Sequence, residues 1–582
     1  MIKKRIIFIG TIIMMGLFVI LYRLADIQLI HTESFSKKGV NLVQESVSQR
    51  TQEVVIDDGR GRFTDRNGAP LRDQVEPSLV IFPFSKDIEW PVEQLTKIIN
   101  ISESKLNHLL ANIKKPAVLS KKEGIHLTSE EIESINNLKI PGIFAIYKQS
   151  PIEESIAEHI IGITGENPEL LRSKYPDRSD LSYKTQIGIT GLEKAFDEFL
   201  LPDAETKLLY HVDGDGNPLF GINVKYMADA NPFYPVTIET TIDKEIQAMS
   251  EDILSKHKIE KGGIVLLDIE TNNVLAMVSK PDVNRAEDAT LANHMIQPIF
   301  PGSIFKTVIS AAAIEYGLDD ATRQFDCSLN LHGENDGGQD DGMLNFERSF
   351  AKSCNYTFTT LAEELIKIND SVIEDTAEKL GLVGPVGWNG KVFHYDNFKQ
   401  FPNEKLGKIW GANEDKQIKR AVHQTAIGQK DVKVTPMAVA NMMATVARGG
   451  ERKKVRVVEN ILYKNGTNMY SFTSNSIDGE HISPFTAKSM QKLLRLVVTD
   501  PEGTGRRFQS LEVEVSGKSG TAQTGKKTEQ GASLYNKWFA GFFPSNQPKY
   551  ALVVVEMDTT SEESGTNASF YDIVNELANR DL

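Results

Sequence analysis

The chain is poor in cysteine, with two in 582 residues, Cys327 and Cys354. Two are too few for a disulfide framework or a cysteine-ligated zinc site. A single bridge is compatible with the count, but nothing in the sequence demands one. The core must therefore hold by packing, which a chain this long can do. Concentrated positive charge is also lacking: 65 Lys and Arg stand against 79 Asp and Glu, for a net charge of -14. Phosphate backbones are bound by clustered Lys and Arg, so the absence of a basic stripe excludes nucleic acid as a partner. The acidic balance reads as solubility. There is no internal repeat and no long low-complexity tract. "HVDGDGNPLFG" (211–221) starts like a calcium loop but puts Pro218 and Val224 where glycine and glutamate are needed. It reads as a hairpin turn.

Long apolar runs are also scarce, and the exception is at the N-terminus. Lys3, Lys4 and Arg5 precede an uncharged apolar run from Ile6 to Tyr22. That is the lower edge of what spans a bilayer. Basic residues ahead of the run predict a cytoplasmic N-terminus and an outward remainder. No A-x-A-like pair follows in "YRLADIQ", which favours an uncleaved anchor over a cleaved signal peptide.

Residues 45–80 read as extended, with turn signals such as Asn67-Gly68. Residues 86–140 read as helical, with Pro91 at a first-turn position. The texture changes near residue 236. "GGIVLLDIETNNVLAMVSKP" is two apolar strands, buried on both faces, around an Asn-rich turn. In "FPGSIFKTVISAAAIEYG" (300–317) apolar residues fall at helical spacing nearly all round, so the helix is buried. Gly317 is its stop. "HGENDGGQDDG" is an exposed loop, and residues 350–450 are mostly helical. "VEVSGKSGTAQT", "KWFAGFFP" and "KYALVVVEM" are strands joined by short turns. An amphipathic helix with Phe570, Ile573, Val574 and Leu577 on one stripe closes the chain. The order predicts an α+β fold, a sheet with helices on both sides.

Ser303 and Lys306 are three apart at the mouth of the buried helix, so they share a face. Ser-x-x-Lys alone is weak, for it recurs at Ser34, Ser102, Ser255, Ser349 and Ser489 in mostly polar settings. The setting of Ser303 separates it. A serine needs a base, and a lysine serves only if burial or a second cation lowers its pKa. "KSGTAQT" offers that cation as Lys518. Lys518 and the hydroxyls of Ser519 and Thr521 could hold a carboxylate. The Thr521 and Ser303 N–H groups could form an oxyanion hole. Gly520 would let another backbone approach closely. "FAKSCNYTF" adds Ser353, which could relay a proton, and Asn355, whose amide could orient Lys306 or grip a peptide carbonyl. Taken alone, "SCN" is more often a helix cap.

Ser303-x-x-Lys306, Ser353-x-Asn355 and Lys518-Ser519-Gly520 together resemble the three motifs of the penicillin-recognising serine transpeptidases. "RGRFTDRNG" (60–68), "GITGLEKAFDEFL" (188–200), "TTIDKEIQ" (240–247) and "AIGQKDVKVTP" (426–436) are similar to stretches of class B penicillin-binding proteins. The resemblance implies a transpeptidase/β-lactamase-like domain over 236–582, with a central antiparallel sheet flanked by helices. It implies an extended mixed α/β pedestal of the dimerisation type over 23–235, an anchor over 6–22 and a cytoplasmic tail over 1–5. Ser303 would attack the D-Ala-D-Ala bond of a peptidoglycan stem peptide, and a neighbouring stem's amine would resolve the acyl-enzyme. Lys306 would be the base, and Ser353 and Lys518 would pass the proton to the leaving amine. Ser519 and Thr521, with Lys518, would bind the substrate carboxylate beside Gly520. β-Lactams would block Ser303. The partners implied are stem peptides, β-lactams, the membrane and a cell-wall glycosyltransferase; no cofactor or metal is called for. Cys354 and Ser519 depart modestly from the family pattern. No transglycosylase signature appears before residue 236. A D,D-carboxypeptidase, a β-lactamase and a non-enzymatic sensor or scaffold are the rival readings.

Overall fold

A computed structural model describes residues 2–581 except 34, 37–39, 153–154, 179, 214–218, 220–222, 229–230, 336–340, 475, 478 and 561–563. The N-terminal helix Ile2–Ala25 runs on through a π-turn, Asp26–Ile30. Lys3–Ile30 is apolar and long enough to cross a membrane, and none of its most apolar stretch is buried in the protein. The helix therefore runs past the predicted end at Tyr22.

The strands Asp73–Ile81, Ala117–Leu119 and Ile143–Pro151 form one sheet of the N-terminal part. The helices Val92–Ile99, Glu103–Asn112 and Ser129–Asn137 carry Leu95, Leu106 and Ile135 into the core against it. The helical reading of 86–140 stands, with two corrections. A short strand interrupts it, and Pro91 is the N-cap rather than a first-turn residue. A second sheet pairs Thr51–Asp57 with Thr206–His211, and that strand with Lys225–Met227. The turn inside 211–221 lies largely outside the described residues. So does part of the predicted loop 332–342.

Four strands join the two halves of the chain. Thr237–Thr240 pairs in parallel with Arg62–Thr64 and antiparallel with Val458–Leu462, which pairs with Asn468–Ser471. Phe63, Leu71, Ile160, Phe196 and Leu200 accordingly share one core with Ile304, Phe305 and Val308.

The main sheet has five antiparallel strands: β1 (Gly262–Asp268), β2 (Val274–Lys280), β3 (Ser516–Lys527), β4 (Ser533–Phe543) and β5 (Tyr550–Thr559). Their order across the sheet is β2-β1-β5-β4-β3. β1 and β2 are buried along nearly their whole length, because helices cover both faces. The helix Thr566–Asp581 packs Phe570, Ile573, Val574 and Leu577 onto one face. Lys306–Glu315 and Pro436–Ala447 pack on the other. Every side chain from Lys306 to Ile314 is buried.

Two expectations need correction. Residues 350–450 include a hairpin, Asn389–Val392 with Tyr395–Lys399, among the helices. The two cysteines, which nothing in the sequence paired, form a disulfide, Cys327–Cys354, with Cα atoms 5.8 Å apart. Packing is thus not the only brace on the core.

Candidate active site

Ser303 lies on a 3-10 turn, Gly302–Phe305, that opens into the buried helix beginning at Lys306. Its hydroxyl makes no hydrogen bond among the described residues. Lys306 is fully buried and donates to the Ser353 carbonyl at 2.5 Å, the Ser353 hydroxyl at 3.1 Å and the Asn355 amide oxygen at 2.7 Å. Three oxygens thus surround the amine; in its neutral form it donates two protons, and the Ser353 hydroxyl can donate to its lone pair. Lys518, also fully buried, donates to the Ser353 hydroxyl at 3.0 Å and to the Ser519 carbonyl at 3.3 Å. Ser353 Oγ therefore stands between two amines.

The elements explain this convergence. Ser353 ends the helix Phe346–Lys352 with φ +64°, a left-handed conformation that is costly for serine. That turn reverses the chain. Asn355 is then the first residue of the helix Asn355–Ile368, and Cys354, not Asn355, is its N-cap. The stretch "SCN" thus does sit at helix caps, Ser353 ending one helix and Cys354 opening the next, and it bonds Lys306 as well. Phe358 and Phe350 lie under the two amines, with ring centroids 5.5 Å from Lys306 Nζ and 5.7 Å from Lys518 Nζ. The disulfide ties the residue between Ser353 and Asn355 to the segment just after the short strand Gln324–Asp326.

No carboxylate pairs with either lysine among the described residues. Burial pushes the Lys306 ammonium well below the usual lysine range, and the charge of Lys518 pushes it further. Burial alone brings Lys518 down to about 7. Both shifts favour the neutral amine over the ammonium.

β3 is the outer strand of the sheet, paired only with β4. Its buried face, the one that carries Lys518 and Gly520, meets the Ser303 turn at backbone distance. A Cβ on Gly302, where φ is +55°, would lie 2.2 Å from the Thr521 carbonyl oxygen, and one on Gly520 would lie 2.7 Å from that of Pro301. The close approach expected at Gly520 is present, and it brings the Ser303 and Thr521 segments side by side. Lys518, Gly520 and Ala522 are buried, while Ser519 is half-buried and Thr521 exposed. The Ser519 and Thr521 hydroxyls therefore lie on the face of the strand opposite the Lys518 side chain. Sequence reasoning missed Thr504, whose hydroxyl accepts a hydrogen bond from Ser519 Oγ at 2.8 Å. The available signal was a threonine flanked by two glycines just after a helix, in "PEGTG".

Chain order, fold and this cluster of a serine hydroxyl, two buried amines and an amide gather the sequence-predicted site residues in one place. The penicillin binding protein transpeptidase domain matches residues 262–577, and the penicillin-binding protein dimerisation domain matches 55–231. The chain belongs to the penicillin-binding protein transpeptidase family. Among its relatives, the peptidoglycan D,D-transpeptidase MrdA of Acinetobacter baumannii is 24% identical over 95% of this chain and 84% of its own. Stage V sporulation protein D of Bacillus subtilis is 24% identical over 95% and 81%. The peptidoglycan D,D-transpeptidase FtsI of Escherichia coli is 23% identical over 94% and 86%. Penicillin Binding Protein 2X of Streptococcus thermophilus superposes with a TM-score of 0.65 at 19% identity, covering 91% of this chain and 80% of that one. A chain of a peptidoglycan synthase complex superposes with a TM-score of 0.63 at 20% identity, covering 98% and 97%. These likenesses establish the fold.

Proposed function

We propose that this chain is a membrane-anchored serine D,D-transpeptidase that cross-links peptidoglycan stem peptides and is acylated by β-lactams. Its cytoplasmic tail is 1–5, its anchor 6–22, its pedestal 23–235 and its catalytic domain 236–582, the last two on the outer side of the membrane. We also propose, from sequence alone, a closeness to the Bacillus-type penicillin-binding protein 4b. A glycosyltransferase that supplies uncross-linked glycan is the partner this chemistry requires.

The observation that carries the reading is the meeting of Lys306, Ser353, Asn355 and Lys518 in one hydrogen-bonded cluster at the Ser303 turn. Ser303 Oγ attacks the carbonyl carbon of the penultimate D-alanine, and its proton passes to neutral Lys306. The N–H groups of Ser303 and Thr521 receive the oxyanion. As the C–N bond breaks, the proton travels through Ser353, between the two amines, to the departing D-alanine nitrogen. An ester on Ser303 remains. The amine of a second stem attacks that ester and gives up a proton to Lys306, which passes it to Ser303 Oγ as the C–O bond breaks. Ser519 and Thr521 hold the terminal carboxylate in the field of Lys518. The donor stem lies along the open edge of β3 as an added strand.

Fluorescent penicillin tests the site. The full chain in detergent should give a covalent band that is absent from Ser303→Ala. Labelling that persists in the variant would refute the assignment. Stem peptide offered with and without an acceptor amine tests the reaction: a joined product is expected, and D-alanine release with no joined product would make the chain a carboxypeptidase.

A further inference from the structure

Ser519 and Thr521 share the open face of β3, but their hydroxyls are unequally held. Threonine is stiff at χ1 because two heavy atoms sit on Cβ. Serine is not, and a half-buried serine can turn through three staggered positions. Ser519 therefore has to be steadied from outside if its hydroxyl is to point at a carboxylate. In the structure it donates to Thr504 Oγ1 at 2.8 Å.

Thr504 is exposed, but its backbone is anchored. Its N–H donates to the Ala351 carbonyl at 3.1 Å, and its hydroxyl donates to the same oxygen at 3.4 Å. Ala351 is two residues before Ser353. The flanking Gly503 and Gly505 are buried, and a Cβ on Gly503 would lie 2.3 Å from the Val497 carbonyl oxygen. Only glycine lets this turn fold so tightly onto the end of the helix Pro484–Thr499. The turn is also fastened by charge. Arg348 reaches Asp500 at 3.3 Å and Glu502 at 2.6 Å, and Lys352 reaches Glu502 at 3.0 Å. Arg348 and Lys352 lie on the helix that delivers Ser353. Thr504 thus bridges that helix and β3, on the hydroxyl face of the strand.

We propose that Thr504 is a positioning residue of the carboxylate site. It fixes the Ser519 hydroxyl toward the terminal carboxylate of the substrate, supplying to a serine the restraint that a γ-methyl would supply to a threonine at 519. The inference rests on the transpeptidase reading above. Without substrate, the Thr504 proton goes to Ala351, so Ser519 must be the donor between the two hydroxyls. When a carboxylate arrives, Ser519 turns its proton to it, and Thr504 turns its own onto Ser519 Oγ. No proton leaves either residue, and the two oxygens keep their spacing.

The test is Thr504→Val, which keeps the shape and removes the hydroxyl. KM for a stem peptide ending in D-Ala-D-Ala should rise ~10-fold, the order expected for one hydrogen bond, with kcat within about twofold. Thr504→Ser should restore KM. Ser519→Thr in the Thr504→Val background should recover most of the loss. Acylation by a penicillin whose carboxylate is masked as a methyl ester should not distinguish Thr504→Val from the parent. A fall in kcat at constant KM, an equal loss with the masked penicillin, or no recovery by Ser519→Thr would overturn the proposal. Parent chain that penicillin fails to label at Ser303 would instead overturn the transpeptidase reading. Normal labelling with an unchanged Thr504→Val defeats only this inference, and equal melting temperatures exclude misfolding as the cause.

Discussion

Lys306 and Lys518 are two buried amines without a carboxylate among the described residues, and burial disfavours the charged form of each. A paired carboxylate would have stabilised both ammoniums and left no base. Ser353 and Asn355 supply neutral acceptors instead. Removing one amine should therefore change the other. In Lys518→Ala the repelling charge is gone, so the Lys306 pKa rises. Less neutral amine is then present at pH 7. The acid limb of the acylation profile should move to higher pH, and the rate at neutral pH should fall ~10-fold while approaching the parent rate in alkali. Acylation by a chromogenic β-lactam across pH 5–10 measures this, and an unmoved limb would rule out tuning of Lys306 by Lys518. Stability follows the same sign. Lys518 titrates at about 7 when folded, against an ordinary value of 10.5. Between those values the unfolded chain holds a proton that the folded chain lacks. Folding should thus strengthen as pH rises from 7 to 9, by at most about 1.4 kcal/mol per pH unit from this group. Denaturant titrations should find that increment reduced in Lys518→Met; equal slopes for the two proteins would contradict the depressed value.

Three elements bring these residues together: the buried helix at Lys306, the paired helices around Ser353, and the outer strand β3. Their contact relies on backbone approach. At Gly302 a methyl group would meet the Thr521 carbonyl at 2.2 Å, on a φ of +55° that alanine rarely adopts. Gly302→Ala should part the Ser303 turn from β3 and slow acylation ~100-fold, since small displacements of reacting groups cost that much. Stopped-flow acylation within threefold of the parent would show the contact to be dispensable. Much of this was legible. Lys306–Glu315 is apolar nearly all round, β1 and β2 are largely apolar runs, and the terminal helix carries a clear stripe. The rest fails for physical reasons. The hairpin Asn389–Lys399 puts its Asn-Gly pair within a bulged strand and turns instead at Phe393, a phenylalanine with φ +48°. A turn made by a residue that disfavours it leaves no signal in composition. The disulfide was invisible because two cysteines 27 residues apart carry no distance information until the strand Gln324–Asp326 and the helix at Asn355 are docked. Thr504 was missed because its role is set by Ser519 and Ala351, neither near it in sequence.

At the scale of the whole molecule, the N-terminal half is braced internally by buried charge, and it meets the catalytic core through shared apolar packing. The stretches 60–68 and 188–200, both part of the family resemblance, meet there. Arg60 donates to Glu193 at 2.5 Å and to Asp197 at 3.1 Å, and Arg72 also pairs with Glu193. Lys174, at 3.1 Å, Tyr175, at 2.8 Å, and the Gly188 N–H, at 2.7 Å, complete the shell of Asp197. Glu193 and Asp197 are each 1% exposed, and without Arg60 each would keep a single cation, Arg72 for Glu193 and Lys174 for Asp197. Arg60→Met should therefore cost about 1–3 kcal/mol, the penalty for leaving buried acceptors short of donors while each keeps one cation. The loss should not stay local. Phe63, Leu71, Phe196 and Leu200 pack in the same core as Phe305, the residue beside Lys306. The temperature at which Ser303 stops accepting fluorescent penicillin should fall together with the temperature at which the N-terminal half unfolds. Melts of Arg60→Met followed by both probes decide the matter. If labelling survives to the parent temperature after the N-terminal half has melted, the two halves are separate cooperative units, and the shared core does not couple them.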